Sequence, residues 1–252
     1  MRILALLAFS TTALSFAQQP PLVIPHFADG GGWQSTIAVF NNGVNVTPVH
    51  LTIKFRGDDG ALVPVDLNHY GSLSTLDTDL GVQSALYLDT AGTRPAVQVG
   101  WVEVDQTSGS AAVAGFVIFR NLVSGRPDFE AVSNGMRAAS SMTFPFDNTN
   151  GVVTTFAIAN LSVSTCTVAA FPIFDEAGVA VVGQPQLIGN MYGSGHMGFV
   201  ATDRIPEMAN KRGHLTFNPL IGCGSGGIAM LGLRFNPSGA FTNLEPLSVT
   251  TP

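Results

Sequence analysis

Five histidines, two cysteines and a scatter of acidic and serine residues are the groups of this 252-residue chain with the chemistry to bind or react. Cys166 and Cys223 are the only cysteines. A small, even cysteine count in an exported chain reads as a disulfide, and two thiolates alone cannot complete a four-ligand zinc site. The histidines, His26, His50, His69, His196 and His214, show no H-x-H or H-E-x-x-H spacing. A metal centre would therefore need the fold to bring distant ones together. Asp147-Asn148-Thr149-Asn150-Gly151 holds one carboxylate and lacks the downstream Glu of a calcium loop. Asp58-Asp59 and Asp77-x-Asp79 are as sparse, and turn chemistry accounts for Asp, Asn and Gly at such places. Gly193-Ser194-Gly195 and Gly224-Ser225-Gly226 depart from G-x-S-x-G. No glycine-rich segment leads into the helix that a dinucleotide or P-loop site requires. Distant carboxylates could still meet in space for sugar hydrolysis. Trp33 and Trp101 are read as buried core residues of a sandwich, with a sugar platform as the alternative use. No catalytic residue, metal ligand or cofactor is assigned.

These groups must be positioned by elements whose nature composition constrains. Charged residues make up 11% of the chain, against roughly 25% in average globular proteins. With a formal net charge of −6, the surface lacks the clustered cations that nucleic acid or anionic lipid demands. At the N-terminus, Met1-Arg2, an apolar run over residues 3–14 and Ser15-Phe16-Ala17 have the order of a signal peptide. The expectation is a signal over residues 1–17 cut between Ala17 and Gln18, and a secreted protein, extracellular or periplasmic. No later apolar run approaches membrane length, so no membrane insertion of the mature chain is expected. The 28 Gly, 15 Pro and 17 Phe favour many short strands joined by tight turns.

Internal similarity sets the expected architecture. Residues 27–55 and 146–174 align at an offset of 119 with eight identities in 29 positions, among them Phe27/Phe146, Thr36/Thr155, Asn41/Asn160 and Phe55/Phe174. About two would arise by chance. In the first copy Val49, Leu51, Ile53 and Phe55 fall on one face of a strand, and His50, Thr52 and Lys54 on the other. His50 is thereby expected in solvent. Phe55 and Phe174 are expected at equivalent core positions. Residues 112–120 and 227–236 are read as alternating strands. Facing apolar sheets make sandwiches, so the fold class expected is all-β, two tandem β-sandwich domains from an internal duplication. They span residues 22–135 and 142–248, with a linker over 136–141. Thr47 stands where the second copy has Cys166, so the disulfide belongs to the second copy alone.

The pattern Val39-Phe40-Asn41-Asn42-Gly43, then Val49-x-Leu51-x-Ile53-x-Phe55, then Asp59-Gly60 resembles the immunoglobulin-like and fibronectin-type-III-like repeats of exported bacterial proteins. The two-repeat layout, with Phe27-Ala28-Asp29-Gly30-Gly31-Gly32-Trp33 and Gly125-Arg126-Pro127-Asp128-Phe129-Glu130, is similar to a group of uncharacterised secreted bacterial proteins. The chain lacks the cysteine–tryptophan–cysteine spacing of antibody domains. The duplication, the absence of catalytic motifs and the charge-poor composition point to a non-enzymatic structural or protein-interaction role. Carbohydrate or other ligand binding is the alternative and hydrolysis a third. A protein or glycan partner is expected, and nucleic acid is not.

Overall fold

The computed structural model describes residues 20–43, 48–109, 112–224 and 227–251. The expected signal peptide, the junction between Ala17 and Gln18, Thr47 and Ser225 lie outside the described residues. The protein is nearly all β, 60% strand against 4% helix, so its cores come from sheets. The first half contains β1 (Leu22–Asp29), β2 (Trp33–Asn41), β3 (Val49–Arg56), β4 (Val65–Leu67), β5 (Gly71–Leu73) and β6 (Thr75–Leu80). It continues with β7 (Ala85–Asp89), β8 (Gln98–Ser108), β9 (Val113–Asn121) and β10 (Phe129–Asn134). The second half contains β11 (Ser141–Asp147), β12 (Val153–Asn160), β13 (Cys166–Asp175), β14 (Gln186–Met191) and β15 (His196–Val200). A short helix, α1 (Ala201–Arg204), and a 3₁₀ turn (Pro206–Met208) lead to β16 (Arg212–Ile221), β17 (Ile228–Phe235), β18 (Phe241–Leu244) and β19 (Ser248–Thr250). Among the described residues no helix is long and apolar enough to cross a membrane.

Two four-stranded sheets, ordered β1-β8-β3-β6 and β10-β9-β2-β7, make the first half, with β4 and β5 as a separate small hairpin. The second half has β14-β13-β16-β11-β19 and β15-β12-β17-β18. Strand for strand the orders correspond, β19 being an extra edge strand. Alternation explains how each pair of sheets closes. In β3, Val49, Leu51, Ile53 and Phe55 are fully buried while His50, Thr52 and Lys54 face outward. Each such apolar side chain contributes about 1.5–3 kcal/mol on burial. Ile53 and Phe55 meet Ile37 and Val39 of β2 and Val117 of β9 across the first core. In the second core Phe144, Ile173 and Phe217 meet Phe156, Ile158 and Met230. Paired sheets around a shared core are compatible with a β-sandwich.

Local bonds repeat at the same offset of 119. The Ser35 hydroxyl donates to the Ala28 carbonyl (2.9 Å) and accepts from the Ala28 N–H (3.0 Å). Thr154 makes the same pair of bonds with Asp147 (2.8 and 2.9 Å). Asn41 and Asn160, both buried, each accept a hydrogen bond at Oδ1 from the N–H two residues on, at Gly43 and Ser162. Each thus closes an Asx turn at a strand end. The correspondence breaks at Phe174. Phe55 lies in the first core, but Phe174 is only half-buried and packs on His214, with ring centroids 5.5 Å apart. The register of β13 against β16 shifts between Ala170 and Ile173. Pro172, which has no N–H to give the ladder, sits in that irregularity, and Ile173 takes the core position instead.

Cys166 and Cys223 are bonded, with Cα atoms 4.4 Å apart, and both are buried in the second core. The bond joins the start of β13 to the segment after β16 and closes a loop of 57 residues. Constraining that loop in the unfolded chain contributes at most about 4 kcal/mol. Reduction is expected to lower the thermal midpoint of the second half by several degrees. An unchanged melt after complete reduction, verified by thiol titration, would contradict this.

Candidate functional site

β12 and β17 are apolar on both faces. In β17, Ile228 and Met230 point into the second core, yet Ala229, Leu231 and Leu233 on the opposite face are buried as well. Residues 227–236 are therefore not an alternating half-exposed strand, because the first half covers the second face. Phe156 and Ile158 of β12 likewise face the second core, while Ala157 and Ala159 are buried against the first half. Val23 of β1 and Trp101 of β8 pack directly on Ala159 and Ala229. Trp101 is therefore not the core tryptophan of a sandwich. Its ring lies between the halves, and its indole N–H donates to the Ser194 carbonyl (2.8 Å). Gly193-Ser194-Gly195 is the tight turn that receives it. Opposite lies the turn Gly57-Asp58-Asp59-Gly60, packed so closely that a Cβ on Gly60 would run into the Gly193 carbonyl oxygen. Gly60 also has φ of 81°, which favours glycine.

Beside this tight seam the halves stand apart and leave a cleft of about 550 Å³. Val99, Trp33 and Phe119 line it from the first half, and Ala157, Phe199 and Leu231 are among those facing them. Trp33 stands half-buried in the wall against Phe241, ring centroids 5.2 Å apart, rather than in a core of its own. The one titratable side chain among the described lining residues is His26. It begins a chain of hydrogen bonds across the seam. His26 Nδ1 lies 3.0 Å from His196 Nε2, and His196 Nδ1 lies 2.7 Å from Asp58 Oδ1. The rings stack at 25° with centroids 5.0 Å apart. The His196 side chain has no exposed surface, whereas that of Asp58 is 63% exposed. The His196 N–H also donates to the Asp58 carbonyl (3.2 Å).

His26 is half-buried, lining the cleft while packed among protein groups. Burial first, and the neighbouring His196 second, hold it well below the ordinary histidine pKa of 6.5. The fold thus converges two histidines 170 positions apart, with a carboxylate 138 positions from the second. Spacing in sequence held no trace of this group. Among the described residues no three His, Cys, Asp or Glu side chains are set to hold a metal ion.

The remaining candidates lie apart. His50 is on the outer face of β3, paired with Asp79 (2.7 Å). Asp77 accepts from the Thr52 hydroxyl (2.6 Å). His69 occupies a turn with φ of 71°, and His214 packs on Phe174. In the Asp147 loop, Oδ1 accepts from the Thr149 N–H and hydroxyl, and Oδ2 from Arg234 (2.8 Å). Burial works against the Asp147 charge, but the Thr149 hydrogen bonds and the Arg234 guanidinium outweigh it and hold the carboxyl below its usual range. That loop is a turn and an ion pair. No family model matches the chain, and no curated protein or solved structure matches it.

The lowered pKa of His26 has a consequence for stability. In the unfolded chain His26 takes up a proton near pH 6.5, while in the folded chain it does so only at lower pH. Its contribution is complete above about pH 6.5 and is lost as pH falls through the folded pKa, with a slope of at most about 1.4 kcal/mol per pH unit. The wild type is expected to lose more stability between pH 7.5 and 5 than His26→Phe in denaturant melts. Parallel pH profiles would contradict this.

Proposed function

We propose that the protein is an exported binding module of two β-sandwiches that holds a small apolar molecule in the cleft between its halves. The carrying observation is the cleft itself, about 550 Å³ and walled by Val99, Phe119, Phe199 and Leu231. Small-molecule sites are concave, mostly apolar and roughly 300–1,000 Å³ in size, with few polar groups. The disulfide supports an oxidising compartment and hence the reading of residues 1–17 as a signal peptide cut after Ala17. The matched strand orders and the repeated Ser35/Thr154 and Asn41/Asn160 bonds support an internal duplication, and a tandem immunoglobulin-like arrangement with domains over 22–135 and 142–248.

A second role, as a protein-interaction module, draws support from the outer face of β2, β7 and β9. There Phe40, Tyr87 and Phe116 cluster, with centroids 5.4 to 5.9 Å apart, and Tyr87 is 53% exposed.

The cleft reading is tested with N-phenyl-1-naphthylamine, a neutral apolar dye whose fluorescence rises on leaving water. Saturable enhancement at one dye per chain is expected. Ala157→Phe, which fills the cleft wall, should weaken binding at least tenfold without lowering the thermal midpoint by more than a few degrees. No saturable enhancement, or equal binding by the filled variant, would overturn the reading.

A further inference from the structure

We infer that the cleft selects an apolar alcohol or phenol, because the chain Asp58–His196–His26 presents a hydrogen-bond acceptor to whatever occupies it. The inference rests on the cleft being a ligand site.

The direction of the chain follows from what each atom can do. The Asp58 carboxylate only accepts, so His196 donates to it from Nδ1. With both rings neutral, each has one N–H. His196 has spent its own, so its Nε2 is a lone pair. The 3.0 Å bond between the rings then has one solution, with His26 donating from Nδ1 to His196 Nε2. His26 Nε2 is left without a proton. It has no partner among the described residues, on a ring that lines the cleft. An imidazole acceptor in an apolar wall favours a ligand that brings a donor, since an unpaired polar atom kept from water is costly.

Two other lining residues carry polar groups. Thr155 carries a hydroxyl that takes either role, and Trp33 an indole N–H that only donates. A hydroxyl is the small group that can donate to His26 and still accept from such neighbours. A carboxylate offers lone pairs to a lone pair. An ether or a hydrocarbon leaves His26 Nε2 unpaired. One hydroxyl on an otherwise apolar body therefore matches the site. Asp58 acts only through His196, as a positioning residue, and its exposure makes it replaceable without opening a core.

The experiment measures displacement of N-phenyl-1-naphthylamine at pH 8, above the ordinary histidine range, by three probes of equal carbon number. These are 1-decanol, its isomer methyl nonyl ether, and decanoate. The alcohol should bind about three- to tenfold more tightly than the ether, the range expected for one net hydrogen bond, and more tightly than decanoate. His26→Phe should abolish that preference while still binding the ether. Asp58→Ala, which frees His196 to take the other tautomer, should reduce it; this variant also serves if His26→Phe fails to fold. Equal binding of alcohol and ether by the wild type, or tighter binding of decanoate, would overturn the inference and leave the cleft reading intact. Failure of all three to displace dye, or of the dye to bind, would overturn both.

Discussion

A sheet that is apolar on both faces cannot stand in water on one of them, and β12 and β17 make such a sheet. Its inner face closes the second core. Its outer face, with Ala157, Ala159, Ala229 and Leu231, has to be covered, and the first half does so with β1 and β8. The small side chains at Ala159 and Ala229 let Val23 and Trp101 approach closely. Gly60 and Gly195 let the two turns meet backbone to backbone, since a Cβ on the first would run into the Gly193 carbonyl and one on the second into the Asp58 carbonyl. That requirement joins two cores that would otherwise be separate. It also creates the cleft, since where Phe199, Phe235 and Val99 face one another the halves do not close.

Polar groups trapped in such a seam must satisfy one another. Trp101 does so through the Ser194 carbonyl. His26 and His196 do so through a chain that ends at Asp58, whose side chain reaches water. The seam therefore connects an exposed carboxylate to a wall of the cleft through two rings, that of His196 buried and that of His26 half-buried. Protons fit such a chain in few ways, and the carboxylate end selects among them. Burial of His26 gives the arrangement a cost at low pH, where its neutral form is maintained against protonation. The same burial makes its remaining nitrogen a strong discriminator toward a ligand.

Local features could be read from the residues alone. The alternation from Val49 to Phe55 placed β3 and its buried face, and Asn41 and Asn160 marked strand ends through the turns they close. The pairing of Cys166 with Cys223 followed from their number. Features that depend on docking could not be read in this way. His26, His196 and Asp58 lie on three separate segments and meet only when two halves join. Trp101 has the residue type of a core tryptophan but serves the seam. Phe174 holds the place of Phe55 in the alignment, yet the irregularity at Phe171-Pro172 turns it outward. One signal was present in the residues. The unbroken apolar runs at 156–159 and 228–233 depart from the alternation of a half-exposed strand, and such runs mark sheets covered on both sides.

The direction of the histidine chain can be observed directly by long-range ¹H–¹⁵N correlation on uniformly labelled protein at pH 8. Such spectra assign the proton on each imidazole nitrogen. The account predicts that His196 and His26 both have their proton on Nδ1, with both Nε2 nitrogens unprotonated. Asp58→Ala should relax that assignment. A proton on His26 Nε2 in the wild type would reverse the chain, make the cleft a donor site, and contradict the account.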